Sequence, residues 1–150
     1  MSDLSIIKSC LPQTEPFLFV DEFTKIDERG AFGHYTFRED EYFYQGHFPD
    51  HPITPGVILI EVMAQIGLMG LGIFLTKPYE QKEPFRVAFS SSQVDFLKPV
   101  YPGQQVWVQS EKIYFRFGKL KCKVQMKDTN DEILCQGELS GMVLKYKQND

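Results

Sequence analysis

"GVILIEVMAQIGLMGLGIFL", residues 56–75, carries a single charge, that of Glu61, with Gln65 four residues further on. Twenty residues at about 1.5 Å per residue are enough to span a bilayer. In that setting Glu61 and Gln65 would lie in hydrocarbon, and no basic cluster flanks either end. A helix that is apolar all round is otherwise one enclosed by protein. The run is therefore predicted to be a buried central helix, not a membrane span.

The flanks supply the enclosure. "LSIIKSCLP" (4–12) reads as a short amphipathic helix ended by Pro12. "FLFVDEFTKID" (17–27) reads as a strand, Gly30 as a turn, and "AFGHYTFRE" (31–39) as the returning strand. After the apolar run come four more: residues 85–100, 104–117, 119–128 and 132–146. The 119–128 segment alternates cleanly. Leu120, Cys122, Val124 and Met126 face one way; Lys119, Lys121, Lys123, Gln125 and Lys127 face the other. That is a half-buried antiparallel strand, and "DTND" (128–131) is the turn that joins it to the last. No repeat, linker or low-complexity tract interrupts residues 1–150. The expectation is one α+β domain: a long central helix wrapped by a six-stranded antiparallel sheet.

Composition narrows the function classes. Sixteen Lys and Arg against twenty Asp and Glu leave a net charge of −4, so no nucleic-acid footprint is visible. Cys10, Cys122 and Cys135 are far apart, odd in number and outside any C-x-x-C pattern. They read as small apolar core residues of a chain in a reducing cytosol, not as a disulfide or zinc framework. "MSDLSIIK" has no basic n-region or long apolar h-region, so a cytoplasmic location is expected.

Just ahead of the helix lies "GHFPDHPITPGV", residues 46–57. Pro49, Pro52 and Pro55 recur every third residue and predict an extended, stiff segment. Gly56 follows at the helix start, where a missing Cβ lets another group approach the first backbone N–H groups. A rigid arm ending on a helix N-terminus holds His47 in fixed relation to that terminus. His47 and His51 are four apart, but the prolines preclude the helix that would let them share a metal, so no metal site is expected. His34, among aromatic neighbours in strand sequence, reads as structural.

"FYQGHFPDHPITPGVILIEVMAQ", with "LPQTEPFLFVDE" before it and "FLKPVYPGQQV" after it, resembles the FabZ-type 3-hydroxyacyl-acyl-carrier-protein dehydratases. The resemblance runs from about residue 4 to residue 146, and every fixed position of G-H-F-P-x-x-P-x-x-P-G-V-x-x-x-E-x-x-A-Q is met. It implies the hot-dog fold, without a cofactor, assembled as a homodimer or a trimer of dimers. The partner it implies is an acyl carrier protein bearing a phosphopantetheine-linked 3-hydroxyacyl chain. By the same match His47 and Glu61 fall on the catalytic pair, which the family draws from different subunits. Gly56 and Val57 fall on the backbone that binds the thioester oxygen, and Gln65, Phe48 and Pro55 on supporting positions.

The chemistry suits those residue types. Dehydrating a 3-hydroxyacyl thioester takes a base for the C2 proton, an acid for the leaving hydroxyl and donors for the enolate oxygen. Histidine ordinarily titrates near neutrality and serves as a base at cytosolic pH. A carboxyl set among Leu59, Ile60 and Val62 is costly to ionise and stays protonated. The N–H groups at Gly56 sit on the positive end of the helix dipole. Glu61 follows five residues later, about 7–8 Å along the axis, roughly the reach of a three-carbon substrate head.

The chain also departs from the family. Many members carry His-Arg after "LP" where Gln13 and Thr14 stand here. Many have an acidic pair and an Arg where Ser92, Gln93 and Asp95 stand. These differences bear on chain length and pathway, fatty-acid synthesis or the building of polyenes and polyketides, more than on chemistry. Two other classes remain: a different hot-dog enzyme (thioesterase or enoyl-CoA hydratase), and a non-catalytic acyl-binding subunit. The Lys119, Lys121, Lys123 face reads as solvated, with docking of an acidic carrier protein as the other reading.

Overall fold

The computed structural model describes residues 3–144. Helix α1 (Asp3–Ser9) leads by a loop into β1 (Glu22–Asp27) and β2 (Gly30–Thr36). Helix α2 (Gly56–Thr76) follows, then β3 (Val87–Phe96), β4 (Gln105–Arg116), β5 (Lys119–Lys127) and β6 (Ile133–Val143). The six strands form one antiparallel sheet in the order β1-β2-β4-β5-β6-β3. The sheet wraps α2, as expected for the hot-dog fold.

Burial explains why α2 is apolar on every side. Ile58, Leu59, Val62, Met63, Ile66, Leu68, Leu71 and Ile73 are all buried against the sheet. By length and hydropathy the helix is able to cross a membrane, but 78% of its most apolar window is buried inside the fold. Glycines set how closely the sheet approaches. A Cβ on Gly70 would stand 2.4 Å from the Phe23 ring of β1, a distance that no side chain tolerates. Pro55 caps the start, its carbonyl accepting from Ile58 and Leu59 N–H at 2.9 and 3.2 Å. Lys77 closes the end in the left-handed region, at φ 50°.

Several local expectations are corrected. The helix is not α throughout: Ala64–Met69 is wound as π-helix, which no periodicity in an all-apolar run reveals. Residues 17–21 of the expected first strand are irregular; the Phe17 carbonyl and the Phe19 N–H bond the Gln65 side chain of α2 instead of a neighbouring strand. The turn before β2 is Glu28–Arg29, and Gly30 is already the first paired residue of β2, opposite Asp27. Gly30 is needed for closeness: a Cβ there would meet the Ser110 carbonyl oxygen at 1.9 Å. The last strand ends at Val143, and residues 145 and 146 of the expected strand lie outside the described residues.

The β5 alternation holds: Leu120, Cys122, Val124 and Met126 are buried, while their neighbours are not. Cys135 is buried as well, and Cys10 is half-buried at the rim of the core. β3 behaves differently. Among the described residues it pairs with β6 on one side and with no strand on the other, and Phe89 and Phe96 are exposed along it.

Candidate active site

The arm before α2 is tied at both ends. Tyr42–Gln45 forms a 3-10 turn, and the Tyr44 hydroxyl bonds Thr54 Oγ1 at 2.7 Å, closing the loop across its neck. Further back, buried Glu41 takes the Tyr35 hydroxyl, and Arg38 donates to it from its backbone N–H at 3.1 Å and its side chain at 3.4 Å. The prolines do not keep the whole arm extended. Phe48–His51 is a tight turn, each end donating its N–H to the other's carbonyl at 3.3 and 3.1 Å, and only residues 52–55 run straight. The His47–Phe48 peptide is cis. His51 is exposed, and among the described residues no cluster of His, Cys, Asp or Glu is arranged to hold a metal. His34 packs on Trp107 at 4.5 Å and faces Glu22, away from the arm.

His47 is held in one tautomer. Its Nδ1 lies 3.0 Å from the Ile53 carbonyl oxygen. A carbonyl only accepts, so Nδ1 carries a proton, and in the neutral ring the lone pair is on Nε2. Ile53 N–H returns a bond to the His47 carbonyl at 2.9 Å, and the Phe48 ring stacks on the imidazole at 4.2 Å. This face of the histidine opens on a recess of about 390 Å³, lined by His47, Phe48, Gly56, Phe96, Leu97 and Pro99 among others. Gly56 forms its floor. A Cβ there would press on the Phe96 ring at 3.0 Å, so the glycine keeps the recess open beside the helix N-terminus. Among the described residues no hydrogen bond reaches Gly56 or Val57 N–H, as expected for the first turn of a helix. The Val57 side chain is 73% exposed at that end.

Glu61 does not line this recess. Its carboxyl faces the loop that precedes β1. Gln65 Nε2 donates to Glu61 Oε2 at 2.8 Å and to the Phe17 carbonyl at 3.0 Å, while Gln65 Oε1 accepts from Phe19 N–H at 2.7 Å. Gln65 is fully buried, with both ends of its amide used. Burial holds the Glu61 carboxyl above the usual carboxylate range; the Gln65 N–H pulls the other way without cancelling it.

That shift has a sign in stability. Between the ordinary and the raised value, the folded chain binds more protons than the unfolded one. Stability therefore falls as pH rises through this window. Glu61→Gln has no such loss. Its Tm relative to the parent is expected to climb as pH rises from the ordinary carboxylate range through the raised folded value. A Tm difference independent of pH would contradict the burial of this carboxyl.

Some residues of the site were not marked in the sequence. The Ile53 carbonyl that sets the histidine tautomer is backbone and leaves no signal. Glu41 sits in "REDEY", where a buried anchor looks like one more solvated charge. Thr54 is the one hydroxyl among the proline residues of the arm, a weak pointer to the Tyr44 bond.

A long helix wrapped by one antiparallel sheet, with a histidine arm at its N-terminus and a protonatable glutamate further along, defines a hot-dog acyl-thioester fold of the dehydratase type. A family model described as "FabA-like domain" matches residues 11–138, and the chain belongs to that family. Curated relatives include the FabZ 3-hydroxyacyl-[acyl-carrier-protein] dehydratases of Bacillus licheniformis and Caldicellulosiruptor saccharolyticus. The first is 34% identical over 142 residues, covering 93% of this chain and 94% of the relative. The second is 35% identical over 142 residues, covering 93% and 96%. Among solved structures, the dehydratase heterocomplex ApeI:P of Xenorhabdus doucetiae superposes with a TM-score of 0.77 at 15% identity, over 93% of this chain and 91% of that one. Cj0977 of Campylobacter jejuni does so with a TM-score of 0.70 at 12% identity, over 96% and 92%. At these identities the structures speak for the fold alone.

Proposed function

We infer that the chain is a hydro-lyase that removes water from 3-hydroxyacyl chains carried on an acyl carrier protein, leaving the trans-2-enoyl thioester. The observation that carries this reading is His47, with Nδ1 spent on the Ile53 carbonyl and the residue lining a recess at the start of α2. His47 Nε2 takes the C2 proton. The electron pair passes to the thioester oxygen, where the N–H groups of Gly56 and Val57 meet the developing charge. The C2–C3 double bond then forms as the C3–O bond breaks, and Glu61 gives its proton to the departing hydroxyl, which leaves as water. No cofactor is called for. The setting is fatty-acid synthesis or a related polyene or polyketide pathway in the cytosol.

Because Glu61 lies outside the recess of its own His47, we read the working site as shared between two copies, each lending its histidine to the other's acid. The unpaired edge of β3 and the exposed Val57, Phe89, Phe96 and Leu97 support a homodimer joined there.

Incubation with 3-hydroxyacyl carriers of several chain lengths, followed by mass spectrometry, tests the function. Loss of one water from the intact acyl carrier is expected. Release of the free acid would make the chain a thioesterase. Tight binding without change of mass at any length would make it a non-catalytic acyl-binding subunit.

A further inference from the structure

We infer that Gln13 is a positioning residue for Glu61: with Gln65 it fixes Oε2 of the acid and leaves Oε1 as the oxygen that hands over the proton. The inference rests on the dehydratase reading above. Gln13 is also the position after "LP" at which this chain departs from the pattern it otherwise follows.

Two amides from different elements end on the same oxygen. Gln65 Nε2 reaches Glu61 Oε2 from the next turn of α2 at 2.8 Å. Gln13 Nε2 reaches it from the loop before β1 at 3.4 Å, and also touches Met69 Sδ at 3.1 Å. Two N–H donors on one carboxyl oxygen make it the acceptor and place the acidic hydrogen on the other. Among the described residues no hydrogen bond reaches Oε1, and that atom is not sealed in the interior. Within one chain, and among the described residues, the side chains bonded to the carboxyl are neutral, Gln65 from α2 and Gln13 from the loop, and in the shared site the one titratable group added is the histidine of the other copy.

The other end of Gln13 supports the same role. Its Oε1 is buried with no partner. An unmet buried acceptor costs stability, so the amide is not there to strengthen the loop. What it provides is the N–H end, on Glu61. The loop is built to present it: Phe17 N–H bonds the Thr14 carbonyl at 2.8 Å, and Phe17 and Phe19 in turn grip the Gln65 amide.

Gln13→Met keeps length and volume but removes both donor and orphan acceptor. Gln13→Glu keeps the shape and faces Oε2 with a second carboxyl. The donor favours the ionised form of Glu61, so its removal is expected to move the alkaline limb of the kcat profile up by about half a pH unit. Gln13→Glu is expected to move it further in the same direction. For Gln13→Met, kcat is expected to fall about 3–10-fold, the size of one modest hydrogen bond, with KM nearly unchanged and thermal stability equal to the parent's or higher. Infrared titration of the Glu61 carboxyl in the free protein, assigned with Glu61→Gln, should report the same upward shift. An unmoved infrared titration in both variants, with stability alone altered, would overturn the inference and leave Gln13 a filler of the loop. If the parent chain dehydrates no carrier, the functional reading falls on that result. The infrared titration still decides whether Gln13 acts on Glu61.

Discussion

Replacing His47 by Ala, or Glu61 by Gln, is expected to lower turnover on a 3-hydroxyacyl carrier by at least about a hundredfold, since positioned acid–base groups contribute about 10²–10⁴-fold each. On the proposed roles, His47→Ala removes the base but leaves the N–H groups of Gly56 and Val57 in place. Glu61→Gln keeps the shape and a hydrogen-bond donor but has no proton to transfer. On this reading the two groups serve one dehydration, so the double variant should be little worse than the poorer single one. Affinity for the acyl carrier should change far less. If the site is shared as proposed, mixing the His47→Ala and Glu61→Gln chains under conditions of verified subunit exchange should restore part of the activity, because a hybrid dimer would contain one intact pair. Near-normal turnover in either single variant would place the site elsewhere, and no recovery on mixing would mean that each chain works alone.

Gln65→Leu is expected to cost more stability than any other single change at the site. The side chain is fully buried and bonded at both ends. A leucine fills much the same volume but leaves the Phe19 N–H, on a residue that is itself fully buried, without an acceptor. One such orphan costs about 1–3 kcal/mol, and loss of the bonds to Phe17 and Glu61 brings the total to about 2–4 kcal/mol. For a chain of this size that is about 5–15 °C in Tm, out of a total stability of about 5–15 kcal/mol. Denaturant unfolding should show a lower midpoint at unchanged slope. Turnover should fall as well, since Glu61 loses its nearer support. A midpoint shift below about half a kcal/mol would mean that water replaces the amide and that Gln65 holds nothing.

The fold was legible because one feature dominates the sequence. A twenty-residue apolar run with one acid has few homes, and the clean alternation at 119–127 supplied a sheet to enclose it. The π-helical stretch at Ala64–Met69 was not legible, because an all-apolar helix has no face whose drift would betray a change of winding. The irregular backbone at 17–21 was missed for a related reason. "FLFVD" has strand composition, but its Phe17 carbonyl and Phe19 N–H go to Gln65, forty-odd residues away in sequence. Tertiary bonding overrode local propensity there.

The site divides along the same line. His47, Gly56, Glu61 and Gln65 stood out as residue types in a dense motif. What fixes them did not: the Ile53 carbonyl under the imidazole, the Phe96 ring over Gly56 and the Gln13 amide against the acid are contacts between distant segments. The proline arm is less regular than its proline spacing suggests. Prolines fix φ one residue at a time, and Pro49 serves a turn as readily as an extended chain, so the bend at Phe48–His51 comes from pairing of its two backbone ends.

The central claim is that His47 takes the proton from C2 while water leaves from C3. A 3-hydroxyacyl carrier fully deuterated at C2 puts both events on one substrate. Mass spectrometry of the product from the parent chain should show the carrier-bound enoyl chain, lighter by one HDO and retaining a single deuterium at C2. Over the same period the His47→Ala chain should return the substrate with both labels in place. An unchanged carrier with the parent chain, a released acyl group, or equal loss of label from the His47→Ala chain would contradict it.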